Sequence, residues 1–299
     1  VDPVMQYVSP RKAFFDTETT GVDFADDRVV SIGVVVGEHD KVIHEYYSMV
    51  NPERKSNPDA ARVHGLTDEM LKSAPKFSEI YHQFIDATIG QNVSSCVAHN
   101  ADFDCVFVSQ EMYRMFKAGN NPMAYAAEHY PDYILESERR YSFDEKTKKY
   151  VYTGRTLKEM FDPFYSLADI FSIEDTQLLA FNVADKNHVS LNSVAKQFGV
   201  DTSKREAIHD ALEDSRVLMH TYYAIQKNAL GGRDFADMQR DIQGLSFPVV
   251  SLKEQDRVPP ELASQLVSLN SVLPRVESKV DVENSEPARV PSQPKRMRP

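Results

Sequence analysis

Apolar residues at the start of the chain gather in short runs separated by polar turns, the pattern of a β-meander. The runs predict strands near 12–16, 28–36 and 41–49, the second carried by Val29-Val30-Ser31-Ile32-Gly33-Val34-Val35-Val36. A fourth run, Ser95-Cys96-Val97-Ala98, breaks at His99-Asn100. The spacing then becomes helical, with Phe103, Val106 and Phe107 at i, i+3 and i+4. Helices are also predicted from Ser73-Ala74-Pro75 through Ile85, from Ser190 to Phe198 with Gly199 as the stop, and from Asp210 through Ile225. Thr67 or Asp68 can cap a further short helix.

Acidic residues interrupt this pattern at three places. In Ala13-Phe14-Phe15-Asp16-Thr17-Glu18-Thr19-Thr20-Gly21, Asp16 and Glu18 close an apolar run two positions apart. Alternate strand positions share a side, so both carboxylates can grip one hard cation while Thr17 points away. A solvated strand edge has the same look, so the pair alone does not define a site. Asp104 falls in the first turn of the helix after Asn100, where the helix dipole by itself favours a carboxylate. Asp102, just ahead of Phe103, is an alternative ligand expected to face solvent. In Ile208-His209-Asp210-Ala211-Leu212-Glu213-Asp214, Asp210 and Asp214 lie about 40° apart around a helix, whereas His209 and Asp214 lie about 140° apart. Asp210 is therefore expected to cap the helix, with Asp214 one turn in and His209 working from the loop.

In chain order, D-x-E-T-T-G from Asp16, H-N-A-x-F-D from His99 and H-D-A-L-x-D from His209 resemble the motifs of the DnaQ-like exonucleases with the DEDDh signature. That family holds polymerase proofreading subunits, ribonuclease T and oligoribonuclease. His64-Gly65-Leu66-Thr67 adds a fourth point of resemblance, as does Asp175-Thr176-Gln177-Leu178-Leu179-Ala180, and the likeness covers about residues 12–228. It implies a ribonuclease H-like α/β fold, a mixed five-stranded sheet flanked by helices. It also implies hydrolysis from the 3′ end with two divalent cations, Mg²⁺ or Mn²⁺ in its place. Asp16 would bridge both cations, Glu18 and Asp214 would complete the tighter site, Asp104 would support the second, and His209 would be the general base. Thr17, His64, Leu66, Thr67, Asn100 and Phe103 are the implied substrate-binding residues.

The chemistry of these side chains agrees. Clustered carboxylates raise one another's pKa and cannot all stay ionised without cations. Two divalent ions roughly 3.5 to 4 Å apart can then clamp the attacking and leaving oxygens of a phosphodiester. A histidine titrating near neutrality suits removal of the water's proton.

Composition narrows the partners. With 299 residues and 41% hydrophobic content, the chain can bury a full catalytic core, and no apolar run is long enough to span a membrane. No secretory h-region opens the chain, and its two cysteines make a disulfide framework or zinc site improbable, so a reducing, cytoplasmic location is expected. A net charge of −11 disfavours a broad duplex-binding surface but suits a short single-stranded 3′ end, where few phosphates are held.

The expected organisation is a catalytic domain over residues 1–230 and an extended, Pro-rich arm over 231–299. Residues of about 117–165 form an insertion where many compact members of the resembled family have a much shorter connection. Within it, Arg139-Arg140-Tyr141-Ser142-Phe143 and Lys149-Tyr150-Val151-Tyr152 predict a hairpin whose aromatic face either packs on the core or stacks bases. Half of the 16 prolines fall from Pro248 onward, leaving only a helical pattern at Pro260–Leu269. The basic end, Arg289 to Pro299, can tether a partner, which the family resemblance implies could be a polymerase, or touch nucleic acid, or have no binding role. Three functions fit: an exonuclease on single-stranded DNA ends, favoured by D-x-E-T-T-G with H-G-x-T; an RNA-trimming exonuclease; and a non-catalytic nucleic-acid-binding scaffold, disfavoured by the full ligand set.

Overall fold

The computed structural model of the chain describes residues 9–229 apart from 94, 147–148, 161–165, 186 and 206–208. The described strands are β1 (Lys12–Thr19), β2 (Val29–Glu38), β3 (Lys41–Met49), β4 (Ser95–Ala98), β5 (Arg140–Asp144), β6 (Lys149–Thr153) and β7 (Ser172–Asp175). The helices are α1 (Pro58–His64), α2 (Asp68–Lys72), α3 (Phe77–Ala87), α4 (Ala101–Lys117), α5 (Ala124–His129), α6 (Leu167–Ile170), α7 (Thr176–Val183), α8 (Leu191–Gln197) and α9 (Ala211–Asn228).

Five strands form one mixed sheet in the order β3-β2-β1-β4-β7. The meander β1-β2-β3 is antiparallel, whereas β1-β4 and β4-β7 are parallel. Composition explains the placement. β2 is apolar nearly throughout and lies between two neighbours with helices on both faces, so almost every position is buried, whereas β3 forms an edge and stays half-exposed.

Alternation along β1 separates two cores. Ala13 and Phe15 join Ile32, Val34 and Val36 against α3 and α4, while Phe14 joins Val35 against α7, α8 and α9. Asp16 and Glu18 continue the row of Phe14 and so lie on the α9 side; Thr17 continues the row of Phe15 and lies on the α4 side. The two faces of one strand thus address two helices, each carrying an acidic residue.

The predicted meander is present, with β1 extending to Thr19 and so including Glu18. Ser73-Ala74-Pro75 forms the approach to α3, which starts at Phe77. The short strand β7 carries Ser-Ile-Glu-Asp, too little apolar alternation to be read from sequence. Residues 117–165 hold α5 and an antiparallel hairpin, β5-β6, with Arg140 opposite Thr153 and Asp144 opposite Lys149. The side chains of Tyr141 and Phe143, on which the base-stacking reading depends, lie outside the described residues, as does the arm expected over 231–299.

Candidate active site

The carboxyl end of β1 meets the first turns of α4 and α9. Asp210 caps α9 by accepting from the Glu213 N–H at 2.9 Å, which sets Asp214 one turn into the helix, almost fully buried. Helix α9 can approach this closely because Gly33, opposite Asp16 in the β1-β2 register, has no side chain. The Ser215 hydroxyl completes the seat, lying 2.7 Å from the Ala211 carbonyl and 3.1 Å from that of Gly33.

His209 lies just ahead of the cap, its N–H donating to the Val63 carbonyl at 3.1 Å. Glu18, His209 and Asp214 each offer a ligand atom within 4.8 Å of the others. Asp16 belongs to the same cluster electrostatically: lost hydration and then the charges of Asp104, Glu18 and Asp214 hold its pKa well above the ordinary value. Burial, followed by Asp214 and Asp104, pushes Glu18 up to about 8. Such groups suit divalent cations, which supply the positive charge that carboxylates held this close lack.

Asp104 arrives from the opposite face. Its Oδ1 accepts both the Thr17 N–H at 2.9 Å and the Thr17 hydroxyl at 2.7 Å. Burial raises Asp104 to about 7, against the downward pull of those two Thr17 donors. Asp102 is exposed, as its place ahead of Phe103 suggests. The carboxylate of Asp175 holds the start of α4 by accepting from the N–H groups of Asn100 and Ala101, both at 3.1 Å, and caps α7 through Gln177 at 2.8 Å. His99 braces the same corner, with Nε2 2.7 Å from the Val189 carbonyl and Nδ1 2.9 Å from the Thr176 hydroxyl.

The implied substrate-binding residues have varied surroundings. Thr17 is buried with its hydroxyl committed to Asp104, so only its backbone could meet a nucleotide; the row assignment from sequence placed it away from Asp16 but could not show what it met. His64 ends α1, Gly65 turns in the left-handed region at φ 69°, and Thr67 caps α2. His64 is buried, its Nδ1 accepts the Leu66 N–H at 3.0 Å, and its Nε2 has no hydrogen-bond partner among the described residues. Leu66 is half-buried and Thr67 exposed. Asn100 is exposed in the left-handed region at φ 69° and leaves the capping of α4 to others. Phe103 is half-buried against Phe24 and Phe107, with ring centroids 5.9 and 4.8 Å away.

Two residues to which the sequence reading gave no role in the site shape it. Gly33 looked like one more position in an apolar strand. Arg205, on a short 3₁₀ turn of Ser203–Arg205, is buried and forks onto Asp214, Nε to Oδ1 at 2.5 Å and Nη2 to Oδ2 at 2.8 Å. A lone arginine in a polar loop carries no sequence signal for such a role.

Residues 13–222 match the RNase_T exonuclease family model. The chain belongs to the RNase_T exonuclease family. The DNA polymerase III subunit epsilon of Treponema pallidum is 37% identical over 101 residues, 33% of this chain and 44% of that protein. The corresponding subunit of Rickettsia prowazekii is 28% identical over 257 residues, 83% of this chain and 88% of that one, and that of Haemophilus influenzae is 26% identical over 71% of this chain and 66% of its own length. The chain therefore spans less than two thirds of some of these relatives. An Escherichia coli ExoI–ssDNA complex shares the fold, with a TM-score of 0.53 at 15% identity over 80% of this chain and 45% of that one. Divalent metal ions are the normal cofactors of RNase_T exonucleases of the DEDDh type, and the Glu18, His209 and Asp214 donors suit one. No helix among the described residues is long and apolar enough to cross a membrane.

Proposed function

We propose that this RNase_T exonuclease is a 3′-to-5′ exonuclease acting on single-stranded DNA ends, of the proofreading or repair type, and releasing nucleoside 5′-monophosphates. The convergence of Asp16, Glu18, Asp104, Asp214 and His209 at the end of β1 carries the reading. Asp16, Glu18, Asp104 and Asp214 would hold two Mg²⁺ ions, with Mn²⁺ able to replace them, and bound cations would polarise the phosphodiester and acidify water. The similarity to polymerase III epsilon subunits supports DNA as substrate and a polymerase as partner, with the basic C-terminal segment as the tether. A cytoplasmic location suits such work.

The protein's own groups divide the remaining tasks. The Nδ1 edge of His209 faces Asp214 Oδ2 and Arg205 Nη2, each at 3.4 Å, and the Nε2 edge would take a proton from water. Thr17 fixes Asp104 from the far face of β1, so that helix and strand carboxylates keep one spacing. His64, with its buried Nε2 donor, Leu66, Thr67, Asn100 and Phe103 would receive the terminal nucleotide, and the backbone of Thr17 its sugar-phosphate edge.

The deciding experiment is a gel time course on 5′-labelled single-stranded DNA and RNA of one sequence, with Mg²⁺ or Mn²⁺ and beside Asp16→Ala. A metal-dependent ladder shortening from the 3′ end, faster on DNA and absent in the variant, is the expected result. A faster RNA ladder would move the substrate to RNA, and no cleavage of either would leave the scaffold reading.

A further inference from the structure

A side-chain cation, the Arg205 guanidinium, stands inside the carboxylate cluster. Arg205 engages both oxygens of Asp214, and its Nη2 lies 3.4 Å from His209 Nδ1, so one guanidinium touches two of the three groups able to share a metal ion. Arg205 and Asp214 are both buried, with the arginine 8% exposed and the aspartate 1%. The guanidinium also opposes the mutual repulsion at Asp16 and Glu18.

Charge and geometry set this arrangement in competition with divalent cations. The four carboxylates of Asp16, Glu18, Asp104 and Asp214 are matched by two divalent cations alone, so the guanidinium becomes surplus once both are bound. A hard cation bound by Asp214 would contend with the two-pronged fork for its oxygens and would stand close to a like charge, which repels it.

We propose that Arg205 is the resident counter-ion of the metal-free site and that divalent cations compete with it for Asp214. The cost of displacing it weakens metal affinity, and the fork keeps Asp214 and the His209 loop in place until metal arrives. This inference rests on the metal-dependent reading above. A purely structural fork predicts the opposite: Arg205 would stay on Asp214 after loading, and its removal would slacken a ligand and weaken metal binding.

The test uses the full 299-residue chain without nucleic acid. In the wild type, the Arg205 Nε–H resonance should be protected from exchange after EDTA treatment and should lose that protection when Mg²⁺ saturates. Mn²⁺ titrations followed by electron paramagnetic resonance should show Arg205→Gln binding about tenfold tighter than wild type. In EDTA the variant should melt below wild type, and in saturating Mn²⁺ the gap should close. An Nε–H resonance unchanged at saturating Mg²⁺, or a folded Arg205→Gln with equal or weaker Mn²⁺ binding, overturns the proposal. If the variant does not fold, the wild-type resonance decides. A wild type that takes up no cation overturns the functional reading and this inference with it.

Discussion

Gly33 lies so close beneath the first turn of α9 that a methyl group on its Cα would fall 2.3 Å from the Ala211 carbonyl oxygen and 2.4 Å from the Leu212 nitrogen. The obstacle is backbone, so a side chain there can be accommodated only by moving the helix that carries Asp214. Gly33→Ala should destabilise the fold by about 1–3 kcal/mol, the usual cost of overpacking. Because a shift of about 1 Å at a reacting centre can cost about 100-fold in rate, its kcat should fall by that order with less change in KM. Denaturant unfolding and single-turnover hydrolysis measure the two effects; normal kcat in a folded variant would show that α9 does not need this seat.

Stability in the absence of metal should fall as pH rises. Folding lifts Glu18 from 4.5 to about 8 and Asp104 from 3.8 to about 7, through burial first in each case. A carboxyl whose folded pKa is raised contributes stability that is fully present below its unfolded value and lost as pH climbs through the folded value. The window here runs from about pH 4 to 8. EDTA-treated protein should therefore show a decreasing Tm across it, and Mg²⁺ or Mn²⁺ should raise Tm more at pH 8 than at pH 6. Cation binding should also release protons, visible as a dependence of calorimetric heat on the buffer's ionisation enthalpy. A metal-free Tm that is flat or rising across this window would contradict the electrostatic account of the cluster.

The acidic cluster and its order in the chain were legible because each carboxylate sits in a short local motif, and period-two alternation places Asp16 and Glu18 on one face. Asp210 as cap and His209 in the approaching loop followed from helix geometry alone. Gly33 and Arg205 were not legible because their roles depend on what comes near them in space. Nothing around Gly33 in sequence announces that Ala211 will press upon it, and the fork of Arg205 is set by the turn at Ser203–Arg205. Strand β7 escaped for a different reason: with only Ser172, Ile173, Glu174 and Asp175, its membership comes from pairing with β4 rather than from its own pattern.

Thr17 ties the carboxyl end of β1 to the first turn of α4 through a single carboxylate oxygen, which makes its hydroxyl a control on Asp104. Thr17→Val keeps the shape and the backbone donor but removes the hydroxyl, so the pKa of Asp104 should rise further above about 7. Hydrogen bonds to charged groups contribute about 1.5–3 kcal/mol, enough to move the metal-free midpoint upward by about one to two pH units. Thr17→Ser, which returns a hydroxyl to the same oxygen, should restore the midpoint. Carboxyl ¹³C NMR of the metal-free protein reports the titration directly; an unmoved Asp104 midpoint would sink the argument.

Asp175 serves two helix starts at once, accepting from Asn100 and Ala101 at α4 and from Gln177 at α7. Removing it strips two helix starts at once, whereas loss of an ordinary cap frees one. A single N-cap replacement costs about 1 kcal/mol, so Asp175→Ala should cost about 2 kcal/mol or more. The start of α4 sets where Asp104 stands, so the same variant should lose kcat beyond what its stability explains, even well below its melting temperature. Asp175→Asn, which retains one acceptor oxygen, should fall between the two. Amide hydrogen exchange locates the effect: protection should drop at the first turns of both α4 and α7 while β2 and α9 stay as protected as in wild type. Loosening confined to α7, with kcat unchanged, would show that the α4 contacts do not position Asp104.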